Sequence, residues 1–356
     1  TLQDLKLHIY CVIKGLKTII YLYYIMEEYR KLLEETVNVN TGRGRKPSTV
    51  RNYLYMLNGL SNQLTKNDIG HDNLSFLLNT SEVLDYLTVT HTPRNVRNYI
   101  TAIMALLIVL DDDDYKSALA EYQTGANIIT EEIIKTSNLQ EKTASQLSNW
   151  TTFKSLQSVT AGYLKWLKTH GVFDRDYTDL LPSEKKRLRY WLISALYTSG
   201  LDNPPVRSNY APMRIITDNK YKALTPETLL ANNYLVIGKG NKKFFSFGVY
   251  KNVDHHGLKT IPVGKKLNLV LNKYLGVFIS PPEYLLWTQN NTPMDSNGLS
   301  AVIPKVYEST GKHVTINLIR HIFISENISG DYISTKQPIA DLMMHNVGMQ
   351  ELYRCK

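Results

Sequence analysis

Thr315-Ile-Asn-Leu-Ile-Arg-His-Ile-Phe-Ile-Ser325 is an apolar helical stretch with an arginine and a histidine at its centre. Ile339-Ala-Asp-Leu-Met-Met-His345 and then Tyr353 follow it close to the C-terminus. Leu318, Ile319, Ile322 and Phe323 recur at helical spacing and belong in a core. Arg320 must enter that core with them, and a buried guanidinium is costly unless it meets an anion. Arg320, His345 and Tyr353 together offer two cations and a phenol, which is what a phosphodiester needs if a tyrosine is to attack it. Taken alone, Arg320 fits a buried structural salt bridge equally well.

The totals narrow the setting. A chain of 356 residues leads us to expect about two domains. Its hydrophobic content of 43% supports real cores. A formal net charge of +9 favours a polyanionic partner without requiring one. The two cysteines, Cys11 and Cys355, exclude a disulfide scaffold or a cysteine-based zinc site, and they fit a reducing compartment. No membrane span is expected: the apolar run from Leu7 to Tyr24 is interrupted by Lys14 and Lys17 and lacks a signal-peptide cleavage site. The chain opens on Thr1, as expected of a fragment or a trimmed chain.

In chain order, residues 1–46 are expected to form an N-terminal helical segment and a basic linker. Within it, Arg43, Arg45 and Lys46 either track a phosphate backbone or are simply solvated. The glycines of Thr41-Gly-Arg-Gly-Arg-Lys-Pro47 would keep that linker flexible. Residues 47–136 read as an all-helical bundle, with caps expected at Ser48 or Thr49, at Ser81 and at Thr92-Pro93. Arg94 and Arg97 lie on the outer face of the helix that Pro93 begins and suit phosphate contacts. Residues 137–148 are polar, lack apolar periodicity and are expected to link two domains.

Residues 149–356 then form a second domain. Thr151 and Ser183 are expected to cap its first two helices, and Val206-Arg207 to open a short helical turn. The hydrophobic period changes to that of strands at Asn233–Gly238, Lys243–Tyr250 and Leu258–Pro262, a small antiparallel sheet within helices. Helices resume at Lys265–Tyr274, Ser296–Glu308, Ile316–Ile328 and Gln337–Met344, with a last one ending near Tyr353. The expected class is mainly α with a small antiparallel β-sheet, α+β.

Several chemistries drop out. His255-His256 has no carboxylate or cysteine at ligand spacing. Gly238-Lys-Gly240 is not followed by a helix start, as a phosphate-cradling loop requires. No Gly-x-Ser-x-Gly elbow occurs. What remains is Arg207, Lys251, Arg320, His321, His345 and Tyr353. Alone, Arg207 reads as a surface arginine, Lys251 as a snorkelling strand end and His321 as structural.

Their order resembles the scattered Arg…Lys…His-x-x-Arg…His…Tyr pattern of the tyrosine recombinases. Pro204-Pro-Val-Arg-Ser-Asn-Tyr-Ala-Pro-Met213, Phe247-Gly-Val-Tyr-Lys-Asn252 and Asn317-Leu-Ile-Arg-His321 look most like the integrases of virophages and giant DNA viruses. The resemblance covers residues 47–356 and is sharpest from Pro204 onward. It implies a helical core-binding bundle and a recombinase-like catalytic domain that clamp double-stranded DNA, working as a homotetramer on paired sites. It implies cutting and rejoining of DNA strands through a 3′-phosphotyrosine, without cofactor or metal, to integrate a viral or mobile-element genome. Tyr353 would be the nucleophile, Arg207, Arg320 and His345 the phosphate binders, and Lys251 the general acid. The protein would act inside a cell or virion, wherever its target DNA lies.

Three departures qualify this. Asn317 stands where the family places the histidine of His-x-x-Arg; it can hydrogen-bond a phosphate oxygen but cannot take up a proton. Met344 replaces the usual glycine before the second histidine. Only Arg354, Cys355 and Lys356 follow Tyr353, so the tail with which many relatives dock on a neighbour is expected to be absent or cut away. A DNA-relaxing enzyme of the type IB topoisomerase kind, or a non-catalytic DNA-binding protein on the same fold, would share most of these residues.

Overall fold

The computed structural model describes residues 27–38, 43–69, 71–328 and 333–355. The chain divides into two compact units, residues 1–139 and 140–356.

The first unit is helical. A helix over residues 27–35 (α1) is followed by α2 (Pro47–Thr65), a 3-10 helix (His71–Leu78), α3 (Thr80–Thr90), α4 (Pro93–Leu110) and α5 (Lys116–Asn138). Its core is Val50, Leu54 and Leu57 of α2 against Ile100, Ile103 and Leu107 of α4. Tyr29 and Leu33, four residues apart on one face of α1, are fully buried in that same core. The described part of the N-terminal segment therefore belongs to the bundle, and one apolar helix turn ties it there. The basic stretch is also less free than its glycines imply, because Arg43–Gly44 (β2) pairs antiparallel with Val37–Asn38 (β1).

The caps differ in detail. Lys46, not Ser48 or Thr49, is the N-cap of α2; it makes no side-chain cap bond, and Pro47 occupies the first turn. Thr92 likewise precedes α4 without a side-chain bond, so Pro93 alone sets the start. α5 runs on to Asn138, and Thr143 and Gln146 form a capping box that starts α6 (Ala144–Asn149). Much of the stretch expected to link the two domains is thus helix.

The second unit opens with α7 (Phe153–Thr169), capped by Thr152, whose hydroxyl accepts from Ser155 N at 3.0 Å. In α8 (Pro182–Thr198) proline again takes the first turn. Glu184 accepts from Leu181 N at 2.8 Å, so Ser183 is not the cap. From Tyr190 to Thr198 the helix is buried on every side, which makes it the pillar of the unit.

The sheet has four strands and is mixed, a correction to the expected three antiparallel ones. The order is β3 (Met213–Thr217), β4 (Asn233–Ile237), β5 (Lys243–Phe247), β6 (Lys259–Pro262), with β3 parallel to β4 and the other pairs antiparallel. The extra strand is five residues long. Arg214 interrupts its apolar run and turns outward to stack on Tyr284, while Met213 and Ile215 enter the core. Two short helices, α9 (Asp218–Lys222) and α10 (Pro226–Leu230), make the crossover to β4. A parallel pair needs such a crossover, so no hairpin signal marks it in the sequence.

After β5 come α11 (Val253–His256), then β6 and α12 (Lys265–Leu275), α13 (Ser296–Val306), α14 (Ile316–Asn327), α15 (Ile333–Leu342) and α16 (Val347–Glu351). Phe153, Trp191, Tyr210, Phe245, Leu271, Ile303 and Phe323 belong to one core that joins helices and sheet. Among the described residues no helix is long and apolar enough to cross a membrane.

Candidate active site

α14 begins at Thr315, whose hydroxyl accepts from Leu318 N at 3.2 Å. Leu318, Ile319, Ile322 and Phe323 bury the helix, and Arg320 goes in with them at 1% exposure. Among the described residues no carboxylate pairs with it. Its Nη2 instead donates to Nδ1 of His345 at 3.0 Å. Its guanidinium carbon lies 4.6 Å from the centroid of the Tyr353 ring. The His345 and Tyr353 rings stack at 5.7 Å. The three residues that stood out in apolar sequence are therefore in mutual contact.

The hydrogen bonding leaves several buried donors on these two side chains unmatched. Nε and Nη1 of Arg320 and Nε2 of His345 are buried and have no hydrogen-bond partner among the described residues. Since Nδ1 of His345 accepts from a guanidinium, the neutral ring carries its proton on Nε2. Three buried donor nitrogens are thus unpaired among the described residues, and leaving such groups unpaired is expensive. Burial, followed by the charges of Arg320 and Arg207, pushes the His345 pKa down to about 3. Burial, opposed by Tyr353 and reinforced by Arg207, pulls Arg320 down to about 10, so it stays cationic at neutral pH. An anion among these donors would relieve both effects.

Arg207 is the fourth member. It follows the buried Pro204, Pro205 and Val206 and precedes a 3-10 turn at Ser208–Tyr210, where a helical turn opening at Val206-Arg207 was expected. Its carbonyl accepts from the phenol of Tyr197 on α8 at 2.9 Å. That loop is tied to the sheet, because Asn233 donates to the carbonyls of both Asn209 and Val249 at 3.0 Å.

Lys251 lies two residues beyond Val249. It is exposed and sits in a turn, because β5 ends at Phe247 rather than running on to Tyr250. Gly248 is where the strand leaves the sheet: a Cβ there would fall 1.8 Å from the Leu229 carbonyl oxygen, so the backbone itself packs on α10. The structure brings the Lys251 turn beside the Arg207 loop through Asn233, but shows no bond from Lys251 to the other site residues. Lys243 is the buried lysine of the sheet; it donates to Asn268 and the Asn241 carbonyl at 3.1 Å and to Asn272, and burial lowers its pKa.

Asn317 lies one turn before Arg320, exposed and without a hydrogen bond to any described residue. Tyr197 and Gln350 were not singled out in the sequence. Gln350, three residues before Tyr353, is fully buried, and neither amide atom has a hydrogen-bond partner among the described residues. A polar residue within a short helix beside the tyrosine was the signal that could have found it. No sequence signal points from Tyr197 to the Arg207 carbonyl, since that contact is purely tertiary.

Arg94 and Arg97 are exposed on α4, and Nε of Arg97 donates to Thr130 at 2.8 Å. Arg45 directs Nη1 at the carbonyls of Leu33 and Thr36, both at 3.4 Å. Lys46 is exposed, and the Arg43 side chain lies outside the described residues. Among the described residues no group of three or more His, Cys, Asp and Glu stands where a metal could be held.

No family model and no curated protein matches the chain. Among solved structures, it is similar to XerA recombinase with a TM-score of 0.36 and 12% identity, covering 92% of this chain and 93% of that one. It is also similar to the Tn1549 transposon integrase in complex with a circular intermediate DNA, with a TM-score of 0.47 and 13% identity, covering 93% and 95% of the two chains.

Proposed function

We propose that the chain is a tyrosine recombinase that cuts and rejoins duplex DNA. The observation that carries this is the trio of unpaired buried donors on Arg320 and His345, with the Tyr353 ring packed against both side chains. A phosphodiester supplies the missing acceptors and negative charge. The tyrosine beside it supplies a nucleophile.

In the proposed reaction the Tyr353 phenolic oxygen attacks the backbone phosphorus and loses its proton to water. The bond from phosphorus to the 5′-oxygen breaks, leaving a 3′-phosphotyrosine and a 5′-hydroxyl. A second strand's 5′-hydroxyl reverses the step onto a new partner, so bond energy is conserved. Negative charge builds on the non-bridging oxygens in the transition state. Arg320 and Arg207 meet it with planar forked donors, and His345 adds Nε2–H as a neutral donor. Arg320, whose guanidinium carbon lies 4.6 Å from the Tyr353 ring centroid, is the cation beside the attacking residue. Lys251 is the proposed acid for the leaving 5′-oxygen, delivered by its exposed turn when DNA binds. Asn317 is proposed to hydrogen-bond a phosphate oxygen. Lys46, Arg94 and Arg97 of the first unit are proposed backbone contacts, with Arg43 and Arg45 beside them. In this account a homotetramer on paired sites integrates the genome of a virus or mobile element.

The test is a nicked suicide duplex, in which the cleaved strand diffuses away and traps the covalent complex. The protein is expected to give an adduct on a denaturing gel that Tyr353→Phe abolishes. An adduct that persists in Tyr353→Phe removes the nucleophile assignment. Plasmid relaxation without recombinant product moves the activity to a topoisomerase.

A further inference from the structure

α14 carries a second set of contacts on the face next to Arg320. His321 Nδ1 donates to the Tyr353 carbonyl at 2.8 Å, and the two rings lie 4.9 Å apart. One turn on, Ser325 Oγ accepts from Cys355 N at 2.8 Å. Where the helix ends, the Ile328 carbonyl accepts from Arg354 Nη2 at 3.1 Å. Positions 321, 325 and 328 follow the i, i+4, i+7 spacing of one helix face. The segment around the tyrosine is therefore laid along α14, with bonds to the backbone on both sides of Arg354. From the other side, Glu351 pairs with the buried Lys336 at 3.1 Å and with Arg354 at 3.5 Å.

This arrangement ties nucleophile and phosphate binder to one rigid element. Arg320 and His321 are adjacent, so they project to different sides of α14. The first reaches His345 and the face of the tyrosine ring, while the second grips the tyrosine's own backbone. A displacement of about 1 Å between nucleophile and target is enough to cost orders of magnitude in rate. We propose that His321 and Ser325 are positioning residues that hold the Tyr353 segment against its own chain's Arg320 and His345. The proposal rests on the strand-transfer role given to Tyr353 above. Neither residue contacts the reacting atoms. What matters at His321 is a single N–H aimed at a carbonyl, not the basicity of the ring.

Two measurements test this on the full chain, one of them independent of cleavage. Amide hydrogen exchange of residues 353–355 is compared in the parent, His321→Ala and Ser325→Ala proteins. Exchange at Cys355 is expected to accelerate at least tenfold in both variants, while the rest of α14 keeps its protection. Single-turnover cleavage of the suicide duplex is then compared with duplex affinity. His321→Ala is expected to slow cleavage by about 10- to 100-fold at unchanged affinity. His321→Asn, whose amide N–H replaces Nδ1–H, is expected to recover most of that loss. Unchanged exchange in both alanine variants overturns the proposal. So does equal cleavage by His321→Ala and His321→Asn. If the parent forms no adduct, the strand-transfer reading fails, and the exchange data still decide whether the two side chains hold the segment.

Discussion

Nη2 of Arg320 donates to Nδ1 of His345 across 3.0 Å, and this one bond fixes the chemistry of both groups. It makes the imidazole an acceptor on one side, and therefore a donor at Nε2 on the other. It also places the remaining guanidinium donors beside that N–H. Two residues twenty-five positions apart thus present one set of donors.

The first consequence is a pH dependence. His345 is held at about 3 against an ordinary 6.5, chiefly by burial. Between those values the unfolded chain binds a proton that the folded chain does not. Stability attributable to His345 is therefore full above pH 6.5 and falls as pH drops toward 3. His345→Gln is expected to flatten that slope, seen in chemical denaturation at pH 7 and pH 5. An NMR titration should find the ring neutral at pH 6 without DNA, and protonating at higher pH once a duplex fills the site. A ring that titrates near 6.5 in the free protein contradicts the site geometry.

The second concerns the buried guanidinium. A buried guanidinium without a carboxylate is a liability in the free protein, and its apolar replacement is often stabilising. Arg320→Met is expected to leave the free protein as stable or more stable, by about 1–3 kcal/mol, while abolishing cleavage. Thermal unfolding and the suicide duplex read the two effects separately. A large loss of stability would mean that Arg320 is a structural residue.

Gly248 makes a different prediction. Any side chain there meets the Leu229 carbonyl oxygen, so Gly248→Ala must push the turn that carries Lys251 away from α10. The expected cost is about 1–3 kcal/mol of stability. Cleavage should slow, and a duplex with a bridging 5′-phosphorothiolate should restore it, because sulfur leaves without protonation. Lys251→Ala should behave in the same way without the loss of stability.

The basic face of the first unit is tested by salt. If Arg94 and Arg97 contact phosphates, removing each should flatten the plot of log affinity against log salt by about 0.9. Filter binding by the double alanine variant measures this. An unchanged slope would leave both arginines as solvated surface groups.

Much of the Arg320–His345–Tyr353 cluster was legible because polar residues in apolar periodic sequence have few places to go. Arg320 had to be buried by its neighbours, and a buried arginine needs a partner; the partner is His345 rather than a carboxylate. Arg207 was legible only through its order relative to the others. What stayed hidden is tertiary. β3 is short, carries an outward arginine and pairs in parallel through a crossover, so no local turn announces it. Lys251 was expected at a strand end, but the packing of Gly248 on α10 ends the strand first. Arg45 reads as a free cation, yet it leans on carbonyls of the α1 segment. α5 and α6 carry helix into polar sequence, and a capping box at Thr143 and Gln146, not apolar periodicity, starts α6.

The most direct measurement is to digest the trapped covalent complex and locate the modified residue by mass spectrometry. Twenty-four tyrosines are available. The account predicts that the nucleotide is carried on Tyr353 alone, through a 3′-phosphate. Attachment at another residue, or through a 5′-phosphate, would contradict it.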